Sequence, residues 1–225
     1  MSYWTRTAQE FEWADTRCST IDMRWPVSQT VLLAQHGETE WTRSGQYTGL
    51  TDLSLTDRGE MEARSLGRAL GRGRGRATFA RVLTSPLRRS MATCEIAGFE
   101  ENALVEPDLV EWDYGKYEGF TRDQIIRNRP EWELFRDGCP GGESPEQVAL
   151  RVDRVIRDIR RVQGDVLVFS SGHVLRMFCA RWLGLVPEAG RCFAMGSASL
   201  SSLGYEHNTS QPVIRFWDDR RHVAA

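Results

Sequence analysis

Three residues of this chain have types and settings suited to attack on phosphorus. His36 comes after the apolar run Val31-Leu32-Leu33-Ala34 and Gln35, and precedes Gly37. A short aliphatic run that ends at a glycine reads as a buried strand delivering the histidine to a loop. In open α/β sheets, ligands bind at that C-terminal edge. A neutral imidazole with one nitrogen held by a hydrogen bond and the other free is a nucleophile; a satisfied loop histidine is the plain alternative. Arg89 sits near a helix start, just after the run Val82-Leu83-Thr84. There a planar guanidinium fork, the helix dipole and free backbone donors all suit an anion. The alternative is a solvated helix arginine, which is how neighbouring Arg88 reads. Glu111 lies in Leu109-Val110-Glu111-Trp112. Apolar neighbours desolvate a carboxyl and raise its pKa, which suits proton transfer; a surface glutamate is the alternative.

The elements that must position these groups alternate along the chain. Val31–Ala34, Val82–Thr84 and Asp165–Phe169 read as strands, with later ones over Ser199–Tyr205 and Val213–Trp217. Thr56 or Asp57 caps a helix with Met61, Leu66 and Leu70 on one face, ended by Gly71. A second helix passes through Met91 and Ile96. Ser144-Pro145-Glu146-Gln147 is an N-cap with proline at the first helical position, opening a helix to about Val162. Gly172 turns the third strand into a helix over Val174–Leu183. Strands separated by helices of this length predict an α/β fold, a three-layer α/β/α sandwich with a mostly parallel central sheet.

Composition narrows the class. The chain has 225 residues, 40% of them hydrophobic, which suits one buried core. Residues 1–29 precede the first strand as an N-terminal arm, and 30–225 form the domain. The arm carries Trp4, Phe11, Trp13 and Trp25, which call for packing on the domain or on a second copy in a homodimer. Twenty-nine basic residues balance 31 acidic ones, so no global field points to nucleic acid. Gly71-Arg72-Gly73-Arg74-Gly75-Arg76 reads as a surface loop, with an RNA-binding arm as the minority alternative. Five scattered cysteines without C-x-x-C spacing fit free thiols, not a disulfide frame or a zinc site. No run is long and apolar enough to span a membrane, and residues 1–29 have no apolar signal core. The expected location is cytoplasmic.

Several segments, in order and spacing, resemble the motifs of the histidine phosphatase (phosphoglycerate mutase-like) superfamily. Gln35-His36-Gly37-Glu38-Thr39 is similar to its first motif, Arg-His-Gly-Glu-Thr, with glutamine in place of arginine. Ser44-Gly45-Gln46-Tyr47-Thr48-Gly49-Leu50-Thr51-Asp52 resembles the second block. Thr84-Ser85-Pro86-Leu87-Arg88-Arg89 resembles the block with the second phosphate-binding arginine, a role that falls on Arg89. Leu109–Gly115, with Glu118-Gly119, resembles the block with the proton donor, which falls on Glu111. Arg136–Ser144 resembles the loop before the long helix. Ser170-Ser171-Gly172-His173 lies where the family has its second catalytic histidine; Ser171 takes that position and His173 follows two residues later. The sugar-bisphosphatase branch is the nearest in pattern.

The resemblance implies a phosphatase acting on a small phosphorylated metabolite, of the sugar-phosphate kind, through a phosphohistidine and without metal or cofactor. His36, Glu111, Arg89 and His173 would be catalytic; Gln35, Tyr47, Thr48, Tyr114, Ser171 and Arg176 would contact substrate. The phosphoryl charge would be met by Arg89, His173 and the helix amides after Ser171. The second reading is a diverged member whose anion pocket serves another reaction or only binds.

Overall fold

The strand expected at Val31 becomes β1 (Val31–Gln35), an interior strand of a six-stranded sheet. The computed structural model describes residues 29–71 and 78–223. The sheet runs in the order β3 (Ala103–Val105), β2 (Arg81–Thr84), β4 (Val166–Ser170), β1, β5 (Leu200–Tyr205), β6 (Pro212–Asp219). The first four are mutually parallel; β5 runs antiparallel to β1, and β6 to β5. Between them lie α1 (Glu40–Ser44), α2 (Asp57–Ala69), α3 (Arg88–Ala97), α4 (Arg122–Ile126), α5 (Leu134–Asp137), α6 (Pro145–Ile159) and α7 (Gly172–Trp182).

The three layers follow from the strand period. All five residues of β4 are buried, as a parallel strand covered on both faces requires. Val166 and Val168 point into a core with Val152, Ile156, Val174 and Phe178 of α6 and α7. Leu167 and Phe169 point the other way, into a core with Leu66 of α2 and Cys94 of α3. On α6, Val148, Val152, Val155, Ile156 and Ile159 recur at helical spacing and are buried. Each such side chain contributes about 1.5–3 kcal/mol by leaving water. The cap read at Ser144 forms as a capping box: its Oγ accepts from the Gln147 amide, and Gln147 Oε1 accepts from the Ser144 amide.

Two details differ from the sequence reading. The α6 helix ends at Ile159 rather than near Val162, and Gln29 Nε2 takes the carbonyls of Ile159 and Val162 at 2.9 and 2.8 Å. Strand β3 has three residues with Leu104 and Val105 exposed at the sheet edge, so neither length nor alternation marks it in the sequence. Of the arm read at 1–29 only Gln29 is among the described residues, and the Gly-Arg loop lies outside them beyond Gly71. Among the described residues no helix is long and apolar enough to cross a membrane.

Candidate active site

The parallel register of β1 and β4 brings Gln35 beside Ser170, so the residues after each strand converge at one sheet edge. His36 is pinned there through its backbone: its amide donates to the Ser170 carbonyl at 3.0 Å, and its carbonyl accepts from Ala198 at 2.9 Å. Its ring is 2% exposed. Nδ1 lies 2.8 Å from the Gly37 carbonyl, which can only accept, so the proton sits on Nδ1 and the lone pair on Nε2. Burial, aided by the Arg89 charge, pushes the His36 pKa down to about 3. The ring is therefore a neutral imidazole in the nucleophilic tautomer. Glycine is required behind it: a Cβ on Gly37 would stand 2.3 Å from the Gly59 carbonyl oxygen.

Glu111 is equally buried and fully hydrogen bonded. Oε1 accepts from the amides of Trp112 and Val174 at 2.8 and 2.9 Å, and Oε2 from the His173 amide at 3.0 Å. The carboxyl thus occupies the N-terminus of α7, where the helix dipole favours it. Burial still holds its pKa above the usual carboxylate range, against the pull of those amides and of Arg89. The segment bearing it is clamped from behind. Arg151, 6% exposed, donates to the carbonyls of Asp108, Val110 and Glu111 and pairs with Glu143 at 2.9 Å. Glu143 Oε2 accepts from the Asp113 amide, and its carbonyl from Trp112 Nε1.

Two expectations are corrected here. The α7 amides of His173 and Val174 do not await a phosphoryl group; Glu111 has taken them. Nor does Arg89 offer its fork to the cavity. It is fully buried, and its Nη atoms donate to the carbonyls of Thr48, Gly49 and Thr51 at 2.9–3.0 Å. That loop is fixed in turn by Glu118, which accepts from the amides of Gly49 and Thr51. Only Arg89 Nε is left without a partner. Gln35 Oε1 and the hydroxyls of Ser171 and Ser199 are also buried without partners.

A cavity of about 360 Å³ opens over His36. Gln35, Tyr47, Thr48, Glu111, Tyr114, His173 and Arg176 line it with His36, so eight of the ten residues read from sequence converge; Arg89 and Ser171 lie behind the wall. Tyr114 Oη lies 2.6 Å from His173 Nδ1, and burial raises the phenol pKa well above its usual value. The phenol therefore keeps its proton and donates it to Nδ1, leaving His173 Nε2–H as a donor. Burial, aided by the Arg176 charge, pushes the His173 pKa down to about 3. Tyr47 stacks on this ring at 5.6 Å, and Arg176 lies over Phe135 at 4.7 Å. The sequence reading missed Arg122 and the Met195-Gly196-Ser197 loop, which complete the wall. Arg122 follows Thr121, an N-cap that Glu118-Gly119 could have drawn attention to. The loop carries no residue whose type suggests chemistry. Among the described residues no three His, Cys, Asp or Glu side chains cluster to hold a metal.

Comparison with known proteins agrees with this geometry. Residues 31–220 match the histidine phosphatase superfamily, branch 1. An acid phosphatase of Mycobacterium tuberculosis is 40% identical over 186 residues, covering 82% of this chain and 90% of that protein. The sedoheptulose 1,7-bisphosphatase of Saccharomyces cerevisiae is 37% identical over 183 residues, covering 68% and 67%. A solved structure of a Mycobacterium tuberculosis open reading frame superposes with a TM-score of 0.78 at 37% identity, covering 84% of this chain and 97% of that one.

Proposed function

This chain belongs to the histidine phosphatase superfamily and is a phosphoric monoester hydrolase, and we propose that it works through a phosphohistidine on His36 without a metal ion. The observation that carries the proposal is the 2.8 Å contact of His36 Nδ1 with the Gly37 carbonyl, which holds a proton on Nδ1, while burial keeps the ring neutral and the Nε2 lone pair free. Nε2 forms a bond to phosphorus as the bond to the leaving oxygen breaks. Protonated Glu111 gives its proton to that oxygen. The resulting carboxylate then takes a proton from water, the water oxygen bonds to phosphorus, and the Nε2–phosphorus bond breaks. His173 Nε2–H and Gln35 supply uncharged donors at the cavity wall, with the Arg89 charge behind it.

The substrate proposed is a small sugar phosphate. The polar, aromatic cavity of about 360 Å³ suits one, and a yeast relative bears the name of a sugar bisphosphatase. A reducing, cytoplasmic setting is proposed from the free thiols Cys94, Cys139, Cys179 and Cys192. Phosphate release from p-nitrophenyl phosphate and a panel of sugar phosphates, with EDTA present, tests the assignment. Turnover in EDTA supports it; activity that vanishes with EDTA and returns with magnesium overturns the metal-free mechanism. A second reading, anion binding without this chemistry, is favoured by the neutral Gln35 and Ser171 at positions where the family has arginine and histidine. It predicts tight phosphate binding and no ester turnover.

A further inference from the structure

We propose that Glu62 acts on His36 through the Gly37–Glu38 peptide bond, as a positioning residue that orients the imidazole and strengthens its Nδ1–H hydrogen bond. The inference rests on the phosphohistidine reading above and deepens it by naming the charged group behind the nucleophile.

Glu62 sits on the buried face of α2, among Gly59, Ala63, Leu66 and Gly67, and is 4% exposed. A carboxylate so placed is costly unless it is paired. Its two oxygens have different partners. Oε1 lies 3.2 Å from Nε of Arg58, whose side chain is largely exposed. Oε2 accepts from the Glu38 amide at 2.9 Å. That amide belongs to the same peptide unit as the Gly37 carbonyl, which lies 2.8 Å from His36 Nδ1. A trans peptide is planar, with its N–H and C=O pointing in opposite directions. The order is therefore carboxylate, peptide, imidazole, joined by two hydrogen bonds. Chains of hydrogen bonds polarise one another in a low-dielectric interior. A charged acceptor on the N–H makes the carbonyl oxygen at the other end a better acceptor for Nδ1–H.

The peptide is held on both sides. The Gly37 amide donates to Thr93 Oγ1 at 3.1 Å, and the Glu38 carbonyl accepts from the Thr56 amide at 2.9 Å. A Cβ on Gly59 would stand 2.2 Å from the Glu38 carbonyl oxygen, so α2 lies directly on this loop with no side chain between. Glu62, three residues on from Gly59, shares that face of the helix, which brings its carboxylate to the Glu38 amide.

The coupling matters because the ring changes charge during the reaction. Nε2 gives its lone pair to phosphorus, and the leaving oxygen departs with the electron pair of its broken bond and takes the Glu111 proton. Nδ1 keeps its own proton throughout. The phosphorylated ring therefore carries a positive charge, in a place where burial disfavours a charged imidazole. The Glu62 carboxylate at the far end of the peptide offsets that charge. Arg58, exposed and screened by solvent, cancels only part of the effect. Attack by water returns the electron pair to Nε2 and the ring to neutrality.

The test compares Glu62→Gln, which keeps an oxygen for the Glu38 amide and removes the charge, with Glu62→Ala, which removes both. Two quantities are read in the full-length enzyme: the proton resonance of His36 Nδ1–H in protein labelled with ¹⁵N-histidine, and kcat and KM for p-nitrophenyl phosphate. In Glu62→Gln the resonance should move upfield as the hydrogen bond weakens. Its kcat should fall about five- to tenfold, with KM changed by less than about twofold, since a charged acceptor bonds roughly twice as strongly as a neutral one. Glu62→Ala should lose on the order of 10² in kcat through misplacement of the ring; if that variant does not fold, Glu62→Gln carries the test. Where turnover labels His36, a resonance that stays in place in folded Glu62→Gln overturns the proposal. So does a kcat within about twofold of the wild type; Glu62 then only props α2 against the loop. Where turnover does not label His36, a moved resonance keeps the coupling and sinks the phosphohistidine reading, and an unmoved one overturns the coupling itself.

Discussion

At Glu111 both carboxyl oxygens are engaged, by three amides, and the segment behind is stapled by Arg151 and Glu143. On the side of Gln35, whose Oε1 is buried without a partner, the hydroxyls of Ser171 and Ser199 are buried with no partner as well. The acid is held in place by the protein alone. Buried polar groups are normally paired, so the Gln35 side holds unmet hydrogen-bonding capacity that the Glu111 side does not. The contrast separates a tightly held side, that of the proposed acid Glu111, from a side whose buried polar groups are left unpaired.

His36→Ala removes the proposed nucleophile and should have the largest effect, a loss of kcat of about 10⁴-fold or more. Phosphate-release kinetics on a variant with unchanged circular dichroism would check it. Glu111→Gln keeps the shape of the acid side but not its proton, and should lower kcat by about 10²–10⁴-fold with little change in KM. Arg151→Met should break the clamp. Misplacement of Glu111 then costs on the order of 10² in kcat. Glu143, left partly buried and unpaired, costs about 3–5 kcal/mol of stability, measured by urea unfolding. Arg151→Lys should recover part of both. On the side of Gln35 and Ser171 the sign reverses: Gln35→Arg or Ser171→His should each raise kcat/KM for a dianionic monoester, by about tenfold for 1.5–3 kcal/mol of added charge-assisted bonding. Adjacent groups on shared oxygens should couple, so the double variant should exceed the sum.

The last effect is on acid stability rather than on rate. His36 has a folded pKa near 3, below its unfolded value of 6.5. The unfolded chain therefore takes up a proton that the folded one refuses as pH falls through 6.5. Stability should drop by up to about 1.4 kcal/mol per pH unit from pH 6.5 toward pH 3 through this group. The wild-type urea midpoint should fall relative to that of His36→Asn as pH drops across that range, because only the wild type carries this titration.

The sheet and its layers were legible because β4 is continuously apolar and α6 has a cap, a proline and a clean apolar face. His36, Glu111 and His173 were legible through residue type and motif order. What Arg89 does was not: its partners are backbone carbonyls some forty residues earlier, and carbonyls look alike in any sequence. The same holds for the α7 amides, which a sequence shows as free and the fold gives to Glu111. The Met195-Gly196-Ser197 wall is placed by β6, where Asp218 accepts from the Gly196 amide across 22 residues.

The central claim is that His36 Nε2 carries the phosphoryl group in turnover. Rapid acid-free quenching of a single turnover with a ³²P-labelled monoester, followed by peptide mapping, tests it most directly. The account predicts a base-stable, acid-labile label on the peptide containing His36, absent from the His36→Ala variant. Label on another residue, or an active His36→Ala enzyme, would contradict it.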